Sequence, residues 1–176
     1  VERTELLFGA GSQAEASRWD ASAWSAVDDV VMGGVSASAL RVTPQGTALF
    51  TGTVSLANNG GFASVRSRPA PADLSACDGL ELRVRGDGKR YQLRLRLDPH
   101  FDGVAYRAHF DTEAGQWQRV RLPFAAFEPT FRGWRPPNAP PLDPGRIYTF
   151  GFMISSKQAG DFRLEIDWLR AYGDGG

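Results

Sequence analysis

Two adjacent carboxylates, Asp28 and Asp29, lie within Trp24–Ser36, W-S-A-V-D-D-V-V-M-G-G-V-S. Tandem carboxylates in a loop could ligate a hard cation such as Ca²⁺, which takes roughly six to eight oxygens. Asn58, Asn59 or Asp87 could add some of them. The pair lacks EF-hand spacing, so the expectation is that no metal or cofactor is held, with structural calcium at Asp28 and Asp29 as the alternative. The simpler expectation is that the two aspartates cap loops or pair with Arg66 or Arg132. Asn58-Asn59-Gly60-Gly61-Phe62 combines amides that suit sugar hydroxyls or a protein backbone with residues that tolerate the positive φ of a tight turn. Seven arginines, at 83, 85, 94, 96, 107, 119 and 121, recur at alternate positions of extended stretches. A sheet face rich in guanidinium could take an acidic partner, phosphate groups or an anionic membrane surface, unless interspersed acids neutralise it. Phe131-Arg132-Gly133-Trp134 places aromatics beside arginine, the composition of protein-interface anchors.

Catalytic signatures are missing from this inventory. His100 and His109 are the only histidines, and neither stands in an H-E-x-x-H sequence. There is no G-x-S-x-G elbow and no phosphate-binding P-loop. Cys77, the only cysteine, excludes an intrachain disulfide and a thiolate metal cluster. An enzyme using Asp28 or Asp29 as a base would need a second catalytic group that the sequence does not offer. The expectation is a protein that is not an enzyme.

The elements that must carry these residues read as strands. Val30-Val31-Met32 favours a buried strand ended by Gly33-Gly34. Residues 48–56 alternate through Phe50, Val54 and Leu56, with Gly52 marking a bulge or a close approach. Leu80, Leu82 and Val84 face one way, and Tyr91, Leu93, Leu95 and Leu97 repeat the pattern. Gly86-Asp87-Gly88-Lys89 between them reads as a hairpin loop, which would put Arg83, Arg85, Arg94 and Arg96 on one face. Further strands are expected near 6–8, 38–42, 62–68, 104–110, 117–122, 147–154 and 162–172. Residues 124–146 read as a long Pro-rich loop with a helical turn at 124–127. About nine to eleven strands with two-faced alternation predict an all-β, two-sheet antiparallel sandwich of jelly-roll type. One domain spanning 1–176, with its core at about 19–172, is expected.

Composition sets the outer limits. Among 176 residues, 42% are hydrophobic and 23% charged, as in ordinary globular proteins. Twenty basic and twenty acidic residues cancel, which argues against generic nucleic-acid binding. No apolar run is long enough to span a membrane, and Val1–Phe8 lacks a basic-then-apolar leader pattern.

Six segments, taken in order, resemble the complex I intermediate-associated protein family, the thirty-kilodalton assembly factor domain. They are Trp24–Ser36, then F-T-G-T-V-S-L-A-N-N-G-G-F-A-S-V-R at 50–66 and G-L-E-L-R-V-R-G-D-G-K-R-Y at 79–91. W-Q-R-V-R-L-P-F at 117–124, F-R-G at 131–133 and G-F-M-I-S-S-K-Q-A-G-D-F-R-L-E-I at 151–166 complete the set. The resemblance implies a galactose-binding-like jelly roll and a non-catalytic role in assembling membrane-bound electron-transfer complexes. The expected partners are protein subunits of such a complex. The expected location is a bacterial cytoplasm, peripheral to a membrane. The residues expected to contact the partner are Trp24, Asp28, Asp29, Asn59, Phe62, Arg66, Asp87, Phe131 and Arg132. Asp28 and Asp29 would act with Arg66 and Arg132 as charge partners in loops at one end of the sandwich. The rival on the same fold is a carbohydrate-binding module with a glycan or small ligand as its target.

Overall fold

In a computed structural model, the described residues are 2–9, 18–28, 36–57, 61–100, 103–131, 134–155 and 158–174. Among them are twelve strands: β1 (Glu2–Gly9), β2 (Trp24–Ala26), β3 (Ala37–Val42), β4 (Ala48–Val54), β5 (Ala63–Ser67) and β6 (Gly79–Arg85). The chain continues with β7 (Arg90–Arg96), β8 (Ala105–Asp111), β9 (Trp117–Pro123), β10 (Glu128–Thr130), β11 (Thr149–Ile154) and β12 (Gly160–Asp174). They form two antiparallel sheets of six strands, as the alternating patterns require. One sheet runs β3-β4-β12-β6-β9, with β1 also paired to β12; the other runs β10-β8-β7-β11-β5-β2.

Strand β12 organises the first sheet. Its first half pairs with β4, its second half with β1, and its other edge with β6. Leu164, Ile166, Leu169 and Ala171 of β12 are fully buried against the opposite sheet. Tyr91, Leu93, Leu95, Phe152 and Ile154 meet them from that side. Burying each such large side chain stabilises the fold by about 1.5–3 kcal/mol. At one end, Phe8, Trp19, Trp24 and Phe152 pack as an aromatic group, with ring centroids 5.1–6.5 Å apart.

Three expectations need correction. Strands β6 and β7 do not form a hairpin. β6 pairs with β9 and β12, and β7 with β8 and β11, so the Gly86–Lys89 segment crosses from one sheet to the other. Both strands alternate because each turns an apolar face to the shared core from an opposite side. Second, the first strand covers Glu2–Gly9, well beyond the apolar 6–8, because backbone pairing to β12 holds it even where its side chains are exposed. Third, the stretch 124–146 is not all loop: it contains edge strand β10, paired to β8, and short 3-10 turns at Phe124–Ala126 and Pro144–Arg146. Gly52 marks a close approach and not a bulge, since pairing on both sides is continuous. A Cβ there would fall 2.0 Å from the Ala37 carbonyl oxygen. The expected strand at Val30–Met32 lies outside the described residues.

Candidate functional site

Asp28 is spent on the fold. Its Oδ2 accepts from the Ser38 amide at 3.0 Å, and its Oδ1 from the Ser38 hydroxyl at 2.6 Å and the Ser64 amide at 3.0 Å. Ser38 is on β3 and Ser64 on β5, so one carboxylate fastens the edge of one sheet to the other. The Val27 amide donates to the Ser64 carbonyl, and the Ser64 hydroxyl returns a bond to the Val27 carbonyl. Asp28 thus meets serines, and Arg66 sits within strand β5 and not in an end loop; the expected pairings through Asp29 and Arg132 lie outside the described residues. Asp87 plays a similar part in the sheet crossing. It accepts from the Tyr91 hydroxyl at 2.9 Å, the Lys89 amide at 3.2 Å and the Arg163 amide at 2.9 Å. Burial, then the Asp87 charge, pushes the Tyr91 phenol far up. Trp24 is a core residue with 7% of its surface exposed, too covered to contact a partner. Phe62 is half-buried just before β5. Asp29, Asn59 and Arg132 lie outside the described residues, as does Asn58.

The arginines divide between the two outer faces, and the division decides their chemistry. On the β12 sheet, Glu81 is 4% exposed and accepts from Arg119, Arg121 and Arg170 at 2.6–3.3 Å. Arg85 meets Glu165 at 2.7 Å, Arg83 meets Asp167 at 2.8 Å, and Arg121 also reaches Glu2 at 2.7 Å. Guanidiniums also lie over rings: Arg83 and Arg85 on Trp117, Arg119 and Arg170 on Trp168, and Arg121 on Tyr172. Burial pushes the Glu81 carboxyl up, but the bonds from the three arginines outweigh it and hold it below its ordinary value. This face is an internally neutralised network.

The outer face of the β7 sheet has a different balance. Register aligns Glu128, Arg107, Arg94, Gly151, Arg66 and Ser25 as one transverse row across all six strands. The next row adds Arg96 and Thr149, and the row on the other side carries His109, Gln92, Met153 and Ser64. Neighbouring strands lie about 4.8 Å apart, so Arg94 and Arg107 are close neighbours, and Arg66 stands two strands from Arg94 across Gly151. Among the described residues, neither Arg94 nor Arg107 is ion-paired to a carboxylate. Arg94 Nη1 donates to Gln92 Oε1 at 2.8 Å, while the buried Nε of Arg107 has no acceptor. Burial, then the charges of Arg96, Arg107 and Arg66, pulls Arg94 down to about 9. It remains charged at neutral pH, at an energetic cost. Burial and the cations Arg90 and Arg107 likewise lower His109. Period-two alternation placed Arg94 and Arg96 on one face. It did not show that Arg66 and Arg107 join them, nor that Arg83 and Arg85 leave.

A third feature stands beside β10. Phe131 and Trp134 bridge each other through two backbone hydrogen bonds of 2.8 and 2.9 Å. The bridge presents Phe131 at 37% and Trp134 at 79% exposure. Among the described residues, no three His, Cys, Asp or Glu side chains converge as a metal site would require.

The architecture defines the class first: a jelly-roll sandwich of the kind used by carbohydrate-binding modules. A family 11 carbohydrate-binding module of a cellulosomal cellulase from Clostridium thermocellum superposes with a TM-score of 0.73 at 13% identity, covering 98% of this chain and 95% of that one. The chain itself belongs to the Complex I intermediate-associated protein 30 (CIA30) family, whose signature matches residues 12–166. It is 31% identical over 175 residues to Complex I intermediate-associated protein 30, mitochondrial, of Mus musculus, with 88% of this chain and 53% of the relative covered. The counterpart of the same name in Drosophila melanogaster is 27% identical over 168 residues, covering 83% and 57%. The chain thus spans a little over half the length of these two relatives.

Proposed function

We propose that this chain is a non-catalytic protein-binding domain that supports assembly or stability of a membrane-bound electron-transfer complex. The family match over residues 12–166, with relatives named for association with complex I intermediates, carries the reading. The likeness to carbohydrate-binding modules extends to the fold and, at 13% identity, not to their ligand. The partners are protein subunits of the complex, met at the periphery of a membrane. A bacterial cytoplasmic setting is proposed for this chain, although the two relatives are named mitochondrial. No described helix is long and apolar enough to cross a bilayer.

Within the described residues, the contact surface is best supported at Phe131 and Trp134. Two backbone hydrogen bonds to Phe131 accompany an indole held in solvent, and such aromatics serve as interface anchors. Of the residues expected to contact a partner, Phe131 retains that role, whereas Trp24, Asp28 and Asp87 act through the fold. The test is capture of partners by the tagged chain from detergent-solubilised cells of its source, read by mass spectrometry. Subunits of one membrane complex should be enriched, and Trp134→Ser should lose most of that enrichment with an unchanged melting temperature. Absence of such subunits with the unaltered chain would refute the reading.

A further inference from the structure

We propose that the outer face of the β7 sheet is a binding site for a compact oxyanion, a phosphate or carboxylate group, held between Arg66, Arg94 and Arg96. A shallow recess there is lined by Ser64, Arg66, Arg94, Arg96, Thr149 and Gly151, with Met153 at its side. It lies over β7 and β11, the two central strands, and is flanked by strands on both sides. Gly151 stands between Arg94 and Arg66 in the transverse row and puts bare backbone where every neighbour has a side chain. A Cβ there would fall 2.9 Å from the Val65 carbonyl oxygen, so a side chain at this position requires the β5 backbone to shift. The floor is backbone, and the walls are guanidiniums.

The electrostatics point to the same ligand. Half-buried like charges gathered on one sheet face repel each other and favour a state in which an anion sits among them. The β12 sheet shows what this chain does when arginines serve the fold: they are matched by Glu81, Glu165, Asp167 and Glu2. On the β7 sheet, Arg94 and Arg107 have no such match among the described residues: Glu128 aligns at the far edge beyond Arg107, Asp111 pairs with Arg90 at 3.6 Å, Asp28 is bonded to Ser38 and Ser64, and Asp98 stands beyond Arg96 near Gly103. None of these acids is among the described residues that line the recess. Planar guanidinium forks match the oxygens of phosphate and carboxylate. The site is separate from the Phe131–Trp134 contact, so it stands or falls independently of the assembly reading.

The test uses the full chain with inorganic phosphate against sodium chloride at matched ionic strength. Phosphate at ten times its half-saturating concentration should raise the melting temperature by about 3–6 °C, with a saturable dependence. Arg94→Met should lose the response and, in chloride, melt higher than the parent because a repelled charge is gone. Arg119→Met, on the opposite sheet, should keep the full phosphate response. Should Arg94→Met not fold, Arg96→Met is expected to weaken the response at least threefold in half-saturating concentration. Acetate in place of phosphate separates the ligand classes: a response to both identifies a general oxyanion site, and a response to phosphate alone a phosphate site. Equal melting in phosphate and chloride, or a full response in Arg94→Met, would overturn the proposal.

Discussion

Replacing Asp28 by alanine should weaken the fold and leave the partner surface intact. The carboxylate receives three hydrogen bonds at 2.6–3.0 Å, two from Ser38 and one from Ser64. Bonds to a charged acceptor contribute about 1.5–3 kcal/mol each in net terms. Two of the three come from one residue, and the half-buried site admits water to the freed donors, so simple addition overstates the loss. A net destabilisation of about 3 kcal/mol is expected. For a domain of this size that lowers the melting temperature by about 6–12 °C. Asp28→Asn keeps one acceptor oxygen and should lose about half as much. Calorimetry gives the melting temperature, and urea titration gives the free energy with an unchanged slope. Hydrogen exchange should accelerate first at the β3 and β5 amides that the carboxylate joins. An Asp28→Ala protein that melts like the parent would refute the role of sheet fastener. If it also lost its captured partners, Asp28 would be a direct contact.

Glu81→Gln removes the charge that three arginines face. It should cost about 2–3 kcal/mol, less than a fully buried pair because Arg119 and Arg121 are well exposed. Since the folded Glu81 titrates below its ordinary value, its contribution is complete above that value and is lost as pH falls through the depressed one. Melting temperature followed from pH 6 down to about pH 2 should therefore fall more steeply for the parent than for Glu81→Gln; parallel profiles would contradict the network. Gly52→Ala places a methyl 2.0 Å from the Ala37 carbonyl and 2.8 Å from the Ser38 Cα, so β3 must shift. A loss of about 3 kcal/mol or more, with β3 amides exchanging freely, is expected in denaturation and hydrogen-exchange experiments.

Much of the scaffold is legible from residue order alone. Period-two alternation marks Leu80, Leu82 and Val84, or Tyr91, Leu93 and Leu95, as inward-facing, because a strand's side chains point alternately to its two faces. Balanced charge and the turn residues between strands follow from composition and local backbone preference. Which sheet a strand enters is a different kind of fact. A strand with an apolar face satisfies its pattern equally well from either side of a shared core, and Gly86–Lys89 suits a hairpin or a crossing alike. The tertiary pairing decided it, and with it the fate of every arginine. Arg83 and Arg85 meet Asp167 and Glu165, which lie about eighty residues further on and arrive through β12. Arg94 and Arg107 align instead with Gly151 and Arg66, and that face holds a concentration of positive charge despite a formal net charge of zero. Asp28 shows the same limit, since its serine partners at 38 and 64 become neighbours only when the two sheets close on each other. Local sequence sets which way a side chain points; long-range pairing sets what it meets, because electrostatic and hydrogen-bond partners are chosen by distance in space.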